Sequence, residues 1–333
     1  MTALSVLDLS LITRGGSVAG ALANSVDLAR LAERLGYHRY WLAEHHAMPG
    51  IASAATAVVI GHIAGTTQHI RVGAGGIMLP NHSPLSVAEA FGTLESLYPG
   101  RIDLGLGRAP GSDQATMRAL RRDPAAADRF PMDVQEVLRY LGPVEAGQRV
   151  VAIPGAGLDV PVWLLGSSLF SAHLAARLGL PFAFAAHFAP AMMEEAIALY
   201  RHAFVPSRYL QAPHVMLCVN VIAADDDATA ALLFTSLEQY FVALRSGRPT
   251  AFPPPDARVQ HDPAQRGMLE QVLRYTFHGG VERVRQSLTN FMRRHRPDEL
   301  MVAMPIYDHA ARCHSLSLLK GLWDGMETDA MAG

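Results

Sequence analysis

The sequence contains a single lysine, Lys320, and this scarcity excludes several chemistries at once. An enzyme that forms a Schiff base, binds pyridoxal phosphate or holds a nucleotide in a P-loop needs a lysine close to a strand end. Lys320 instead lies in the last helical segment of the 333-residue chain, SLSLLKGLWDGME. A lysine-dependent aldolase is therefore not expected.

Charged residues are also scarce, at 17% of the chain, whereas 50% of the residues are hydrophobic. The chain therefore has enough apolar side chains for a large core. Its formal net charge is −2 at pH 7, so nothing indicates a polyanionic partner. We expect a small-molecule substrate and no nucleic acid.

Only two cysteines are present, Cys218 and Cys313, and they lie far apart without familiar metal-ligand spacing. Such usage suits a reducing cytoplasm. The first residues, MTALSVLDLS, lack the basic start and apolar core of a signal peptide. The longest apolar stretch, IASAATAVVIGHIAG, is too short for a spanning helix. We expect a cytoplasmic protein without membrane contact.

Apolar runs bounded by turn residues alternate with segments of helical periodicity along most of the chain. Strands are expected at residues 4–10, 37–44, 70–79, 101–107, 161–166, 181–187, 214–223 and 299–305. Helices are expected at residues 21–36, 52–65, 83–98, 128–141, 168–179, 189–204 and 227–245. This alternation predicts one (β/α)8 TIM barrel with insertions over residues 1–333, and a doubly wound open sheet is the alternative.

Two segments rich in glycine or proline, 143–159 and 246–268, have the composition of insertions into the barrel. The second contains Pro253, Pro254 and Pro255, which cannot continue a helix or an inner strand. Loops of this length in compact domains commonly cover a site or lack a fixed conformation. We therefore expect residues 246–268 to form a mobile loop.

Catalytic groups of such barrels gather at the carboxyl ends of the strands. The polar residues near the expected strand ends are Glu44, His45, His46, Asn81, His82, Arg108, Asp113, Ser167, Ser168 and His187. Because parallel strands all end at the same side of a barrel, these residues are expected to form one ring around its mouth.

The stretch WLAEHHAMPG places Glu44, His45 and His46 side by side after the second expected strand. Neighbouring side chains of an extended segment point to opposite faces, so the two histidines are not expected to bind one ion. The chain has neither HxH nor HExxH spacing, and no metal site is expected. His45 is the candidate for proton exchange near neutral pH, whereas His46 suits a buried, hydrogen-bonded core position.

A phosphate site is predicted where Arg108 and a serine-rich helix start meet. Arg108 follows the fourth expected strand, and Ser167 and Ser168 lie where the fifth strand gives way to a helix, with Ser171 one turn further. Free N–H groups and the dipole at a helix start favour an anion. The alternatives are an ion pair between Arg108 and a barrel carboxylate, and simple helix capping by the serines.

The third expected strand contains three glycines within four residues, Gly73, Gly75 and Gly76. Glycine weakens a strand interior, so its presence usually marks a bulge or the close approach of another group. Either a flat aromatic ring lies against this backbone, or the strand has a bulge without a functional role.

Together, these motifs resemble the bacterial luciferase-like, flavin-dependent monooxygenases. The similarity extends over nearly the whole chain, and its strongest segments occur in the family's order. They are WLAEHH (41–46), RVGAGGIMLPNHSP (71–84), YPGRIDLGLGRAPGSD (98–113) and LLGSSLFSAHLAARLGLPFAFAAHF (164–188). The resemblance implies a (β/α)8 barrel, usually dimeric, that binds reduced FMN at its mouth.

The resemblance also implies roles for individual residues. The flavin phosphate is held by Arg108, Ser168 and Ser171, with Ser167 adjacent. Glu44 lies beneath the flavin and His45 assists the oxygen chemistry, so these two are the expected catalytic residues. Ala74, Gly75 and Gly76 contact the isoalloxazine, and the family has a non-prolyl cis peptide at the double glycine. The substrate side is lined by Met78, His187 and Phe188.

The implied function is that of a two-component monooxygenase. A separate NAD(P)H:flavin reductase supplies reduced FMN, O2 forms a C4a-peroxyflavin, and a small organic substrate is oxidised. The luciferases carry a reactive cysteine where this chain has Gly107, so light emission with a long-chain aldehyde is not expected. The alternatives are an F420-dependent hydride-transfer oxidoreductase, a non-catalytic flavin-binding protein and a phosphate-binding barrel without flavin.

The helix expected at 52–65 has apolar or small residues on nearly every face, including Gly61 and Gly65. Such a helix is buried all round, whereas an outer helix of a barrel has one free side. A partner subunit that covers this side is the simple explanation, and we expect a homodimer.

Overall fold

The computed structural model describes residues 2–109, 114–122 and 124–332. Its strands are β1 (Ala3–Asp8), β2 (Arg39–Leu42), β3 (Arg71–Met78), β4 (Ile102–Gly107), β5 (Val162–Gly166), β6 (Phe182–Phe184), β7 (Val215–Ala224), β8 (Thr276–Gly280) and β9 (Glu299–Ala303). Its helices are α1 (Val18–Arg34), α2 (Thr56–Ala64), α3 (Pro84–Leu97), α4 (Gln114–Ala119), α5 (Phe130–Leu141), α6 (Leu169–Leu178), α7 (Met193–Ala203), α8 (Asp227–Arg245), α9 (Pro263–Val272), α10 (Val281–His295) and α11 (His309–Ala332). Short 3-10 helices cover Leu79–Asn81 and Pro124–Arg129.

Eight parallel strands close into a ring in the order β1-β2-β3-β4-β5-β6-β7-β9. Pairing of β1 with β9 and of β6 with β7 completes the ring. This is the predicted (β/α)8 TIM barrel, and its closure contradicts the open-sheet alternative. Every predicted strand overlaps a strand of the ring, and the last of them, predicted at 299–305, is β9.

The remaining strand, β8, lies outside the ring. The first part of β7, residues 215–217, pairs with β6, whereas residues 220–224 pair with β8. The sequence pattern did not predict β8, because TFHGG has two glycines and no apolar alternation. Helix α10 was also not predicted, although Val284, Leu288 and Phe291 are buried and follow helical spacing.

The predicted loop 246–268 is irregular only as far as Asp262. Helix α9 begins at Pro263, where the Asp262 carboxylate accepts the Gln265 N–H at 2.8 Å and the Gln265 side chain accepts the Asp262 N–H at 3.0 Å. This capping box and a proline in the first turn are a strong helix start, which the prolines upstream obscured. Phe252 in the middle of the segment is fully buried. Its mobility stays a prediction.

Local sequence signals set several helix ends. Ser17 begins α1 by accepting the Gly20 N–H at 3.0 Å, and Asp226 begins α8 by accepting the Thr229 N–H at 2.7 Å. Gly179 ends α6 with φ 61°, a conformation that side chains with a Cβ rarely adopt. The Asp226 cap explains why the predicted and observed starts of α8 agree.

Charged side chains close the barrel at the amino ends of its strands. Arg39 pairs with Asp103 at 2.7 Å and with Glu299 at 3.1 Å, and Arg71 pairs with Asp103 at 2.6 Å. Burial alone would raise the pKa of Asp103, but the two arginines lower it. The Arg39 guanidinium also lies 4.9 Å from the centroid of a Trp163 ring. These side chains fill the amino-terminal end of the barrel, and its interior opens toward the carboxyl ends of the strands.

Helix α2 packs on the barrel through Val59, Ile60 and Ile63, which are buried. Its outer face is open in the single chain, where Val58 is 73% exposed and His62 is also exposed. The homodimer therefore stays a prediction. None of the described helices is long and apolar enough to cross a membrane.

Candidate active site

A cavity of about 540 Å³ opens at the carboxyl ends of the ring strands. This volume lies within the range of about 300–1,000 Å³ found for small-molecule sites. Residues singled out in the sequence that line it are His45, Gly75, Gly76, Met78, Arg108, Ser167, Ser168, Ser171, His187 and Phe188. They lie in β3 or after β2, β4, β5 and β6, and closure of the parallel ring brings them together. Asp113, also expected there, lies outside the described residues.

Two predicted site residues, Glu44 and Ala74, lie behind the cavity wall rather than on it. Ala74 is fully buried in the core layer between the ring and its outer helices. It therefore does not contact the cavity with its side chain, because successive side chains of a strand face opposite sides. His46, Asn81 and His82 do not line the cavity either, and all three gather around Glu44.

Arg108 and the start of α6 form a candidate anion site. The Arg108 guanidinium carbon lies 4.2 Å from the centroid of the Phe170 ring, which keeps the charge beside the first turn of α6. No carboxylate of the described residues pairs with Arg108. Ser168 is the N-cap residue of α6, yet its hydroxyl makes no capping hydrogen bond. The hydroxyl and the first N–H groups of α6 therefore remain available to an anion.

Ser171 lies in the first turn of α6 and is only 3% exposed. A Cβ at Gly166 would lie 2.5 Å from both Cβ and Oγ of Ser171, so only glycine fits at the end of β5. This close approach brings α6 against the strand and places Ser171 on the cavity wall.

The glycines of β3 serve close packing as well as the cavity. A Cβ at Gly76 would lie 2.8 Å from the carbonyl oxygen of Gly105 on the neighbouring strand. The register of β3 against β4 also shifts between Ala74 and Ile77, which is a bulge. The peptide bond between Gly75 and Gly76 is cis, as the family resemblance implied, and both glycines line the cavity. Strand β3 thus has a bulge and also presents backbone without side chains to the cavity.

Glu44 is the centre of a hydrogen-bond cluster behind the double glycine. Its N–H donates to the carbonyl of Gly76 at 3.3 Å, and its carboxylate accepts the Met78 N–H at 3.0 Å. The Nε2 atoms of His46 and His82 lie 2.7 and 2.9 Å from the same carboxylate oxygen. Glu44 is 1% exposed. It therefore fixes the backbone of the cavity wall from behind.

Burial alone would raise the pKa of Glu44, but the hydrogen bond and charge of His82 and the bonds from His46 and Met78 lower it. The carboxylate is therefore ionised at neutral pH and orients both imidazoles. His46 is hydrogen-bonded, as predicted, but it is half-buried in this cluster rather than part of the core.

His45 faces the cavity while His46 faces Glu44, so the adjacent imidazoles separate as predicted, although both lie in the segment after β2 rather than in the strand. Burial, and then the charge of the nearby His45, lower the pKa of His187 to about 3. The Nδ1 atom of His187 is buried and has no hydrogen-bond partner in the described part of the chain. His187 is therefore a neutral group at pH 7, and Nδ1 is an acceptor when the proton is on Nε2.

The rest of the cavity wall is largely apolar. Its large apolar residues include Leu7, Leu9, Leu11, Trp41, Met48, Ile51, Leu237, Tyr240, Phe241, Leu244, Phe252, Met301 and Met304. Several of them come from α8 and the segment that follows it. The sequence did not indicate this role, because the pattern of 227–245 is that of an ordinary outer helix of a barrel.

The charges on the cavity wall are all positive: the described lining residues include three arginines and no aspartate or glutamate. Arg108 belongs to the anion site, and Arg312 donates to the buried carboxylate of Asp8 at 2.8 Å. Arg245, at the end of α8, has no ion-pair partner among the described residues. The sequence did not single out Arg245 or Arg312, because both lie on helices whose approach to the mouth depends on packing.

The cavity thus combines an anion site, a backbone surface without side chains, an imidazole and an apolar chamber. This combination suits a planar aromatic ligand with a phosphate tail, with room beside it for an apolar molecule.

Comparison with known proteins agrees with this geometry. A family model described as luciferase-like monooxygenase matches residues 4–294. A luciferase-like monooxygenase of Escherichia coli K12 is 53% identical over 319 residues, which cover 95% of each chain. The crystal structure of apo-MsnO8 matches with a TM-score of 0.90 and 37% identity over 97% of this chain and 99% of that one.

A more distant structure shares the fold alone. It is the oxygenating constituent of 3,6-diketocamphane monooxygenase from Pseudomonas putida, a type II Baeyer–Villiger monooxygenase in complex with FMN. It matches with a TM-score of 0.71 and 16% identity over 96% of both chains. The family match over most of the sequence and the close relative over nearly all of it lead to one conclusion: the chain belongs to the luciferase-like monooxygenase family.

Proposed function

We propose that this protein is a two-component monooxygenase that uses externally reduced FMN and O2 to oxidise a small organic substrate in the cytoplasm. The observation that carries the proposal is the meeting of Arg108, the uncapped helix start at Ser168 and the Gly75–Gly76 surface in one cavity. Family membership supports the oxygenase chemistry, and the FMN bound to the distant relative supports the choice of cofactor.

The residues present fit FMN. Arg108, the Ser168 hydroxyl and the first N–H groups of α6 offer several donors to one phosphate, and charge-assisted bonds are the strong ones. Gly75 and Gly76 offer a side-chain-free wall to the ring system. When bound, reduced FMN supplies the electrons that activate O2.

The chain's own residues position the reactants and exclude water. Glu44 holds the Gly76 carbonyl and the Met78 N–H, and thereby the wall beneath the ring. Glu44 is thus a positioning residue. The imidazole of His45, which faces the cavity, exchanges a proton with the reacting oxygen or substrate. The apolar chamber keeps bulk water away from the reaction.

Aerobic turnover tests this proposal. The purified protein is combined with a flavin reductase, NADH and FMN, and is offered a panel of aldehydes, alkanes and sulfonates. We expect oxygenated product that requires O2, FMN and this protein together. Reduction of a substrate by reduced F420 without O2 would instead support the hydride-transfer alternative. Tight FMN binding without any product or extra O2 consumption across the panel would support a flavin-binding protein.

The variant Arg108→Ala tests the phosphate site. Loss of a charge-assisted contact costs about 1.5–3 kcal/mol, so the Kd for FMN should rise about 10- to 150-fold. Riboflavin lacks the phosphate, and its weaker affinity should be the same for the variant and the wild type. Fluorescence titration with both flavins gives the two constants. An equal loss of affinity for riboflavin would show that Arg108 acts on the fold or the ring instead.

The unpaired Arg245 leads us to infer a substrate with an apolar body and an anionic end. In the variant Arg245→Gln, the KM for an alkyl sulfonate should rise up to about fivefold, since Arg245 is exposed and such a charge contact is worth at most about 1 kcal/mol. The KM for the matching sulfonamide and the kcat for both should stay unchanged. Arg248→Gln is the matched control, because Arg248 is exposed and does not line the cavity. Equal KM changes for both substrates would contradict the inference.

A further inference from the structure

A cysteine, a histidine and an aspartate meet outside the barrel, away from the cavity. His309 and Cys313 are four residues apart in the first turns of α11, so their side chains lie on the same face. Asp27 of α1 faces them across the contact between these two helices. Neither the family nor the proposed reaction assigns a role to this group.

The ligand atoms of the three residues converge on one point. The Nε2 atom of His309 lies 2.9 Å from Oδ2 of Asp27 and 3.5 Å from Sγ of Cys313. Sγ lies 3.9 Å from the same carboxylate oxygen. With metal–ligand bonds of about 2.0–2.3 Å in a tetrahedron, such atoms lie about 3.3–3.6 Å apart. Shifts of about half an ångström would therefore complete the geometry.

A catalytic triad does not explain the arrangement. In a triad the histidine uses one ring nitrogen for the nucleophile and the other for the carboxylate. Here a single nitrogen, Nε2, faces both Cys313 and Asp27, whereas Nδ1 is buried without a hydrogen-bond partner in the described part of the chain.

We propose that Asp27, His309 and Cys313 form a binding site for a divalent transition-metal ion, with Zn²⁺ as the ion that their chemistry fits best. Thiolate and imidazole ligands select Zn²⁺ over Mg²⁺ and Ca²⁺, which prefer oxygen ligands. Three protein ligands leave a fourth position for water. The ion would clamp α1 to α11, which follow the first and the last strand of the ring. The sequence predicted no metal site because HxH and HExxH spacing is absent, but the fold brings Asp27 of α1 next to the His309–Cys313 pair of α11.

Cobalt titration of the full chain tests the site. Co²⁺ added to EDTA-dialysed protein should give a thiolate-to-cobalt charge-transfer band with an end point of one equivalent, and Zn²⁺ should displace it. The band should be lost in Cys313→Ser and strongly weakened in His309→Ala and Asp27→Asn. The matched control is His314→Ala, because His314 is on the same helix but pairs with Asp225 at 2.8 Å instead.

Two outcomes would overturn the proposal: no charge-transfer band at micromolar protein, or the same band in Cys313→Ser. Circular dichroism and the gel-filtration profile of each metal-free variant should match those of the metal-free wild type, which separates metal loss from misfolding. Modification of Cys313 by a thiol reagent gives a second readout, and bound Zn²⁺ should protect the thiol. Cys218 is buried but lines the cavity, so its modification is measured separately in Cys313→Ser, where it is the remaining cysteine, and subtracted. None of these readouts depends on the proposed oxygenase activity.

Discussion

Replacing His45 with alanine is expected to lower product formation about 10²- to 10⁴-fold, the usual contribution of a positioned acid–base group. His45 faces the cavity, and its neighbour His187 stays neutral because burial and His45 lower the pKa of His187 to about 3. His187 is the other histidine among the described residues of the cavity wall, and because it is neutral it does not supply a proton in place of His45. NADH consumption should continue, with H2O2 released in place of product.

Product yield per NADH, H2O2 release and the Kd for FMN are measured on the same preparation. The Kd should stay within about twofold, because the proposed phosphate contacts lie after β4 and at the start of α6. Added imidazole should restore part of the lost rate if the cavity admits it next to residue 45. His202→Ala is the matched control, since His202 is exposed on α7 and does not line the cavity. Unchanged product yield in His45→Ala would reject the proposed role.

Replacing Arg312 with methionine is expected to lower the free energy of unfolding by about 3–5 kcal/mol, because one partner of a buried ion pair is lost. Arg312 donates to Asp8 at 2.8 Å, and both residues are buried. Burial alone would raise the pKa of Asp8, but Arg312 and then Ser25 and Tyr40 lower it. Urea unfolding at pH 7 measures the difference.

The pH dependence identifies the cause of that loss. The pKa of Asp8 in the folded protein is below its ordinary value of 3.8, so the pair stabilises the wild type above that pH. This contribution disappears as the pH falls through the folded-state pKa. In Arg312→Met the Asp8 carboxylate loses the positive charge that lowers its pKa most, so this pKa rises. The difference in free energy of unfolding between the variant and the wild type should therefore shrink toward acid pH.

A double variant separates lost charge pairing from lost packing. Asp8→Asn combined with Arg312→Met should recover much of the stability, because no uncompensated charge is then buried. A double variant that is as unstable at pH 7 as Arg312→Met would instead assign the loss to packing of the long arginine side chain.

Much of the cavity wall could be predicted from the sequence because the barrel topology brings the residues at the strand ends together. Once Arg108 and Ser168 are assigned to the ends of neighbouring parallel strands, closure of the ring puts them on one rim without further information. The opposite orientations of His45 and His46 were also predicted, although both residues lie after the end of β2 at Leu42.

Other features depend on packing that a local pattern does not contain. The β3 bulge decides that Gly75 and Gly76 reach the cavity while Ala74 faces the outer core. Arg245 approaches the mouth only because of how α8 packs beside it. The pairing of Asp8 with Arg312 joins residues 304 positions apart, and no local signal marks such a contact.

The attachment of β8 to the upper part of β7 has a consequence for how this scaffold diversifies. The segment between β7 and β9 contains β8, which pairs with β7 outside the ring. The length and side chains of this segment can therefore change without interrupting the hydrogen bonds of the closed ring. Substitutions and insertions in this segment can therefore change the shape of the apolar part of the cavity. The candidate anion site is formed by residues that follow β4 and β5, and it need not change.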